Sequence, residues 1–194
     1  MPASLGDGLI LEELLPLEWF PGALPQGLEL ARLNADNHQL LGAESSLEEV
    51  RVSEAVSKEE SAALVHELQR LEYKLNVLLR LTADLVAQAK QLSAPQRVRL
   101  SARALEWFDA PAIKRGDAGL LHIYINRTLP QPLKIPCVAA GERLLDGKRV
   151  AQLSFRDLSD AVVDMLEKLI FRHHRRRVAG AKTDPALTKT QRGP

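Results

Sequence analysis

The period of the apolar residues changes twice along this chain. From Ser57 to Lys90 they recur at helical spacing, beyond Pro95 they alternate as strands require, and beyond Phe155 the helical spacing returns. The first stretch predicts one long helix, with Ser57 and Glu60 as a capping box and Pro95 as a stop soon after its end. Written as heptads, its a positions are Ser61, Leu68, Leu75 and Thr82 and its d positions are Leu64, Leu71, Leu78 and Leu85, so six of eight seam positions are leucine. Val65, Leu79 and Val86 at e and Leu81 at g widen the apolar face. At about 1.5 Å per residue such a helix is roughly 50 Å long, more than a small barrel covers on one side. The stripe therefore calls for further copies of itself, and its width favours a tetramer over a trimer or dimer. Upstream, Pro25 at a first helical position and Gly42 as a stop bracket a shorter helix containing Leu28, Leu33, Leu40 and Leu41.

The alternating stretches are Arg97 to Ser101, Ala104 to Phe108, Gly119 to Asn126, Pro132 to Ala139 and Arg149 to Phe155, with turns at Gly116-Asp117 and Asp146-Gly147. Strands so few and short suit a small antiparallel barrel better than a sandwich. Leu9 to Leu15 offers one more strand ahead of the helices, which would make the helical region an insertion. In the closing run "RDLSDAVVDMLEKLIFRHHRRR", Leu158, Val162, Met165, Leu166 and Leu169 lie on one helical face, Asp157 or Ser159 caps the start, and Arg175 to Arg177 complement the negative end of the dipole. This helix is expected to pack on the barrel or plug its mouth. The layout is an N-terminal segment with a first strand (1–24), a short helical region (25–56), a coiled-coil helix (57–91), the barrel (97–156), a C-terminal helix (157–178) and a disordered tail (179–194).

Composition narrows what such a fold does. A chain of 194 residues, 45% of them hydrophobic, can bury a real core. The net charge of +1 hides a local +6 between Arg172 and Pro194, which reads as a solvated helix end and tail. Cys137 is the one cysteine, so no intrachain disulfide forms and a reducing cytoplasm is the expected home. The opening "MPASLGDGLILEELL" lacks the basic region of a signal peptide, and no apolar run is long enough to span a membrane. Five scattered histidines and a single cysteine give no metal spacing; adjacent His173 and His174 point about 100° apart on a helix. No Gly-rich phosphate loop and no nucleophile elbow occur. The carboxylate pairs Glu48-Glu49 and Glu59-Glu60 sit in helical, solvated positions rather than in a site for acid/base work. No aromatic strand platform accompanies the basic end, so nucleic acid is not an expected partner. No catalytic residue, metal ligand or cofactor emerges.

From Arg97 to about Arg177 the residues resemble the PilZ domain, a small β-barrel with a C-terminal helix that commonly serves bacteria as a cyclic di-GMP receptor. The family's second-strand motif runs Asp or Asn, an apolar residue, Ser, two variable residues and Gly. The matching positions here are Arg99, Leu100, Ser101, Ala102, Arg103 and Ala104, of which only Leu100 and Ser101 agree. The Leu105-Glu106-Trp107-Phe108 strand, the Gly116-Asp117 turn and "VAQLSFRDLSD" also follow the family pattern, and the whole chain resembles a PilZ subset with a leucine-rich coiled coil ahead of the barrel. In the family the ligand is further held by paired arginines, Arg-x-x-x-Arg, just before the barrel; here that place reads "KQLSAPQ". Arg99 exchanges an acceptor for a bulky donor, and Ala104 adds a Cβ where glycine allows close approach or positive φ.

The resemblance implies an α+β fold: a small antiparallel PilZ-like β-barrel, a C-terminal helix and a long N-terminal coiled-coil helix. The expected function is a non-enzymatic regulatory adaptor in bacterial cyclic di-GMP-linked signalling. It would be oligomerised through Leu64, Leu68, Leu71, Leu75, Leu78 and Leu85 and would recognise unidentified protein partners, with cyclic di-GMP bound weakly or not at all. Arg99, Ser101, Arg103 and Ala104 are its degenerate ligand-motif positions, with Arg97 and Arg99 expected to be exposed strand residues. Two alternatives remain open: a non-consensus nucleotide receptor using Arg97, Arg99, Ser101 or Arg103, and a purely structural coiled-coil scaffold.

Overall fold

The computed structural model describes residues 9–53, 62–90, 93–126 and 131–183. Its sheet begins with two strands, β1 (Leu11–Leu15) and β2 (Leu17–Pro21), separated by Pro16 alone. The remaining strands are β3 (Gln96–Leu100), β4 (Ala104–Phe108), β5 (Ala118–Ile123), β6 (Leu133–Leu145) and β7 (Lys148–Phe155), in spatial order β1-β3-β4-β7-β6-β5-β2 with every pair antiparallel. The two edge strands are thus neighbours in the chain: one N-terminal ribbon pairs with β3 through its first half and with β5 through its second. The sheet curls until its edges meet at Pro16, whose carbonyl accepts a hydrogen bond from Tyr124 N at 3.2 Å. Proline suits a point where the chain leaves one ladder for another, because it has no N–H to leave unpaired. The strand expected from Leu9 to Leu15 therefore exists, and the helices are inserted between β2 and β3. The second half of the ribbon, β2, escapes the alternation pattern because Trp19 and Phe20 are consecutive and only partly covered.

The interior follows from pairing register. Leu100, Leu105 and Leu153 lie abreast across β3, β4 and β7, with Val98, Trp107 and Ala151 as the next row. Leu121 and Ile123 of β5 face Ile135 and Leu133 of β6. Helix α3 (Asp160–Thr183) closes this core with Val162, Leu166, Leu169 and Ile170, all buried. Each such side chain gains roughly 1.5–3 kcal/mol from leaving water. Gly119 marks the tightest approach in the sheet: opposite Pro21, a Cβ on it would stand 2.3 Å from the Phe20 carbonyl oxygen. The Asp146-Gly147 turn has positive φ at both residues (51° and 74°), the geometry of a two-residue type I′ hairpin. That hairpin carries β6 to Leu145, well past the expected end at Ala139, with a bulge between Ala139 and Gly141.

Helix α1 (Gly27–Ser53) begins two residues after Pro25 and runs straight through Gly42, which is no stop. A helical glycine costs about 1 kcal/mol relative to alanine, and tertiary contacts override it here. A Cβ at Gly42 would lie 3.9 Å from Met165 Cε, so α1 packs directly against α3. The two helices run in parallel. Asn34 Oδ1 accepts from Ser159 N at 3.0 Å near the start of α3, and Ser45 Oγ accepts from Arg172 Nη1 at 2.8 Å farther along. Buried Asn37 ties α1 to the sheet, donating to Lys134 O at 2.8 Å and accepting from Lys134 N at 3.0 Å. Helix α3 continues to Thr183, so the expected boundary at residue 178 falls inside it; residues 184–194 lie outside the described residues.

Helix α2 (Ala62–Lys90) carries the leucine stripe. The Ser57 and Glu60 cap lies outside the described residues, as does the side chain of Leu64. Leu68, Leu71, Leu75, Leu78 and Leu85 all face solvent, Leu75 at 56% exposure, while Leu79 on the flank lines one groove with Leu40 and Ala43 of α1.

Gly119→Ala should wedge β2 away from β5. The expected loss is about 1–3 kcal/mol of unfolding free energy, measured by urea denaturation; unchanged stability would show that the ribbon does not bind the sheet this closely.

Candidate functional site: an arginine-locked hairpin

The degenerate motif positions lie on the β3–β4 hairpin, whose turn is built by Ser101. Its N–H donates to Ala104 O at 2.9 Å, and its hydroxyl oxygen receives the N–H groups of Ala104 at 3.1 Å and Arg103 at 3.4 Å. Ser101 is buried, and its hydroxyl serves the turn. Ala104 is buried too. Among the described non-glycine residues only Asp109, Asp146 and Asp157 have positive φ, so position 104 makes no backbone demand for glycine. Arg103 projects from the turn into solvent.

Closing the turn there sets the register that pairs Arg99 with Glu106. Arg99 Nη1 donates to Glu106 Oε2 at 2.8 Å, Arg143 Nη2 reaches Oε1 at 2.6 Å, and Gln152 Nε2 donates to Oε1 at 3.1 Å. Glu106 is 2% exposed. A carboxylate this deep is tolerated only when charge and hydrogen bonds both meet it, and two guanidinium groups with one amide do so. Arg99 is consequently not the solvated strand residue that alternation suggests: its side chain is 23% exposed and lies across Glu106. Arg97 alternates outward as expected, yet it too is engaged, with Nε 2.7 Å from Glu12 Oε1 and its guanidinium 4.3 Å from the centre of the Phe108 ring. The first residue of β3 is likewise engaged, since Gln96 Oε1 accepts from Trp107 Nε1 at 2.6 Å. On the outer face of the hairpin Arg97, Arg99 and Glu106 all have internal partners, while Arg103 at the turn is exposed.

Glu106, Arg143 and Gln152 were not singled out by sequence reasoning. The signal was present in part: once Ser101 to Ala104 is taken as the turn, counting outward sets Arg99 opposite Glu106. Arg143 joins only through the β6–β7 hairpin, which no local pattern connects to β4.

A second polar cluster lies on β2 and β5. Tyr124 OH donates to Glu18 Oε2 at 3.2 Å, and burial, then the neighbouring Glu18 charge and that hydrogen bond, push its phenol up to about 12. His122 beside it stacks obliquely on Phe20, ring centres 4.4 Å apart. A groove of about 730 Å³ opens nearby, bounded by Asp36, Leu40, Leu79, His122, Pro132 and Lys134. It brings no nucleophile and base together. Cys137 is fully buried and burial drives its thiol pKa far up, which leaves it unreactive. Among the described residues no group of three or more His, Cys, Asp or Glu is placed to hold a metal ion, and no helix is long and apolar enough to cross a membrane.

The family described as "Atypical PilZ domain, cyclic di-GMP receptor" matches residues 41–183, a span that takes in α2, β3 to β7 and α3. A solved structure of a pathogenic protein from Xanthomonas campestris, described as a new tetrameric PilZ domain self-assembled via an unusual helical bundle, is similar over 90% of this chain and 92% of its own. Its sequence identity is 27% and its TM-score 0.71. The inhibitor of motility from Bacillus subtilis is 13% identical over 43% of this chain and 43% of its own, with a TM-score of 0.36. No curated protein matches the sequence.

Removing Arg99 takes one charged partner from a buried carboxylate that keeps two others. Arg99→Ala should lower the unfolding free energy by about 1–3 kcal/mol in urea titrations, and Arg99→Asp should cost more by setting a second carboxylate against Glu106. Full stability in both variants would mean that the Glu106 network does not hold the hairpin.

Proposed function

The chain belongs to the atypical PilZ domain family of cyclic di-GMP receptors, and from that membership we propose that it works as a non-enzymatic adaptor in bacterial cyclic di-GMP-linked signalling. In this reading it acts in the cytoplasm, self-assembled through α2, and presents several copies of its barrel to protein partners. The observation that carries the reading is the uncovered stripe of Leu68, Leu71, Leu75, Leu78 and Leu85. An apolar face of that length on a single chain marks an interaction surface. Its heptad spacing suits identical helices, and the helical-bundle tetramer of the Xanthomonas protein supports four copies. Assembly of this kind raises the avidity of a weak barrel surface without a new type of contact.

The ligand half of the proposal rests on the hairpin. Where the family presents an acidic or amide acceptor, this chain has Arg99 tied to Glu106, and the usual arginine pair before the barrel is replaced by a stretch that ends in Gln96, itself bonded to Trp107. Binding of cyclic di-GMP in the family's usual way would require breaking that network. The family's own description as a receptor favours a second reading, a non-consensus site formed by Arg97, Arg99, Ser101 or Arg103.

Light scattering should give a tetramer for the wild type. Leu75→Lys should dissociate it, because four ammonium groups cannot be desolvated side by side, while circular dichroism still reports a folded sheet. A monomeric wild type defeats the assembly, and a Leu75→Lys tetramer moves the interface away from α2. Calorimetric titration with cyclic di-GMP should show no submicromolar site; a saturable one abolished by Arg103→Ala would establish the second reading.

A further inference from the structure

Helix α3 changes character at one residue. Up to Ile170 its apolar face is sealed into the sheet, and beyond it the outward side opens: Phe171 is 48% exposed, with His174, Arg175 and Arg176 also in solvent, while Arg172 and His173 stay partly buried. The helix nevertheless continues to Thr183. Between Arg172 and Thr183 the sequence contains Arg172, Arg175, Arg176, Arg177 and Lys182 and no acidic residue. A few cations here would complement the helix dipole. Five exceed what one helix end requires, and their mutual repulsion costs stability.

The contacts of this segment sort its faces. Arg172 turns to Ser45 of α1 at 2.8 Å, and His173 Nδ1 lies 3.4 Å from Glu13 of β1. Those two residues are docked on the body of the protein. At about 100° per residue, Phe171, His174 and Arg175 share the opposite, outward side. There the Arg175 guanidinium stands over the Phe171 ring, 5.9 Å from its centre, and the ring keeps about half of its surface in solvent. The outward face therefore combines a half-exposed aromatic ring with the Arg175 cation at the end of the helix, with exposed Arg176 next along the chain.

We propose that this face docks on an anionic lipid surface, with Phe171 entering the boundary between headgroups and acyl chains and the Arg175 guanidinium meeting lipid phosphates, in a stretch of sequence that carries five basic residues and no acidic one. Charge complementarity selects an anionic occupant, and the exposed ring selects lipid among anionic surfaces. A helix lying in the interface needs one apolar anchor flanked by Lys or Arg, and the cytoplasmic leaflet supplies negative potential to such segments. A nucleic acid would need a groove or stacking platform, but Trp107, Phe108 and Tyr124 are buried in the sheet and Phe20 is stacked on His122. The face is complete in a single chain and does not depend on assembly; copies held together would only strengthen it.

Flotation of the full-length protein with vesicles decides the matter. It should float with phosphatidylcholine vesicles containing about one third phosphatidylglycerol and not with phosphatidylcholine alone. Raising salt from about 0.1 M to about 1 M should release it at least tenfold, since the screening length shrinks from about 10 Å to about 3 Å. Arg175→Glu and Phe171→Ser should each weaken partition about tenfold or more, whereas Arg175→Lys should preserve it, all with unchanged circular dichroism. Should Arg175→Glu fail to fold, Arg175→Gln tests the same charge. No flotation with the anionic vesicles, equal flotation with the neutral ones, or full binding by folded Arg175→Glu or Arg175→Gln overturns the proposal. So does random duplex DNA that strips the protein from anionic vesicles at a lower phosphate concentration, which would make nucleic acid the occupant.

Discussion

Pro16 holds the two ends of the sheet together. Its neighbours Leu15 and Leu17 pair with opposite edges, at Gln96 of β3 and Ile123 of β5, so the curled sheet is closed by a covalent bend rather than by a ladder of its own. Everything downstream inherits this closure. With β1 and β2 already placed, the chain must leave the sheet at Pro21 and return at Gln96, and the helices fill that interval. Because β2 ends at one rim, α1 is led along α3 and anchored by Asn34, Asn37 and Ser45. With α1 and α3 packed on each other and on the sheet, Leu68, Leu71, Leu75, Leu78 and Leu85 of α2 remain in water.

The same economy of partners shapes the hairpin. Ser101 fixes the turn, the turn fixes the register, and the register sets Arg99 beside Glu106. A carboxylate 2% exposed makes both of its guanidinium partners necessary, because an unpaired buried charge is far more costly than the pair is stabilising. Arg99 thus commits its guanidinium to an internal partner.

Much of this architecture could be read from spacing. The alternation at Val98-Leu100 and Leu121-Ile123 located two strands because every second side chain there is the more deeply buried, and Leu105-Trp107 marked a third that is buried along its whole length; the Asp146-Gly147 dipeptide located a hairpin because its geometry favours those residues. Gly42 misled because its cost in a helix is local while its benefit, the approach of Met165, is tertiary. Strand β2 was missed because pairing with β5 across 100 residues leaves no local trace. The Arg99 reading failed for a related reason: alternation tells which way a side chain points but not whether another strand brings a buried carboxylate to meet it. The leucine positions were legible as a stripe.

The central claim is that α2 is a helix completed by other copies, on a domain that needs none of them. Hydrogen exchange on the wild type and on Leu75→Lys tests it most directly. The account predicts slow exchange along residues 62–90 in the wild type, fast exchange there in the variant, and equal protection of β3 to β7 in both. Persistent protection of α2 in a monomeric variant, or loss of protection across the sheet together with α2, would contradict it.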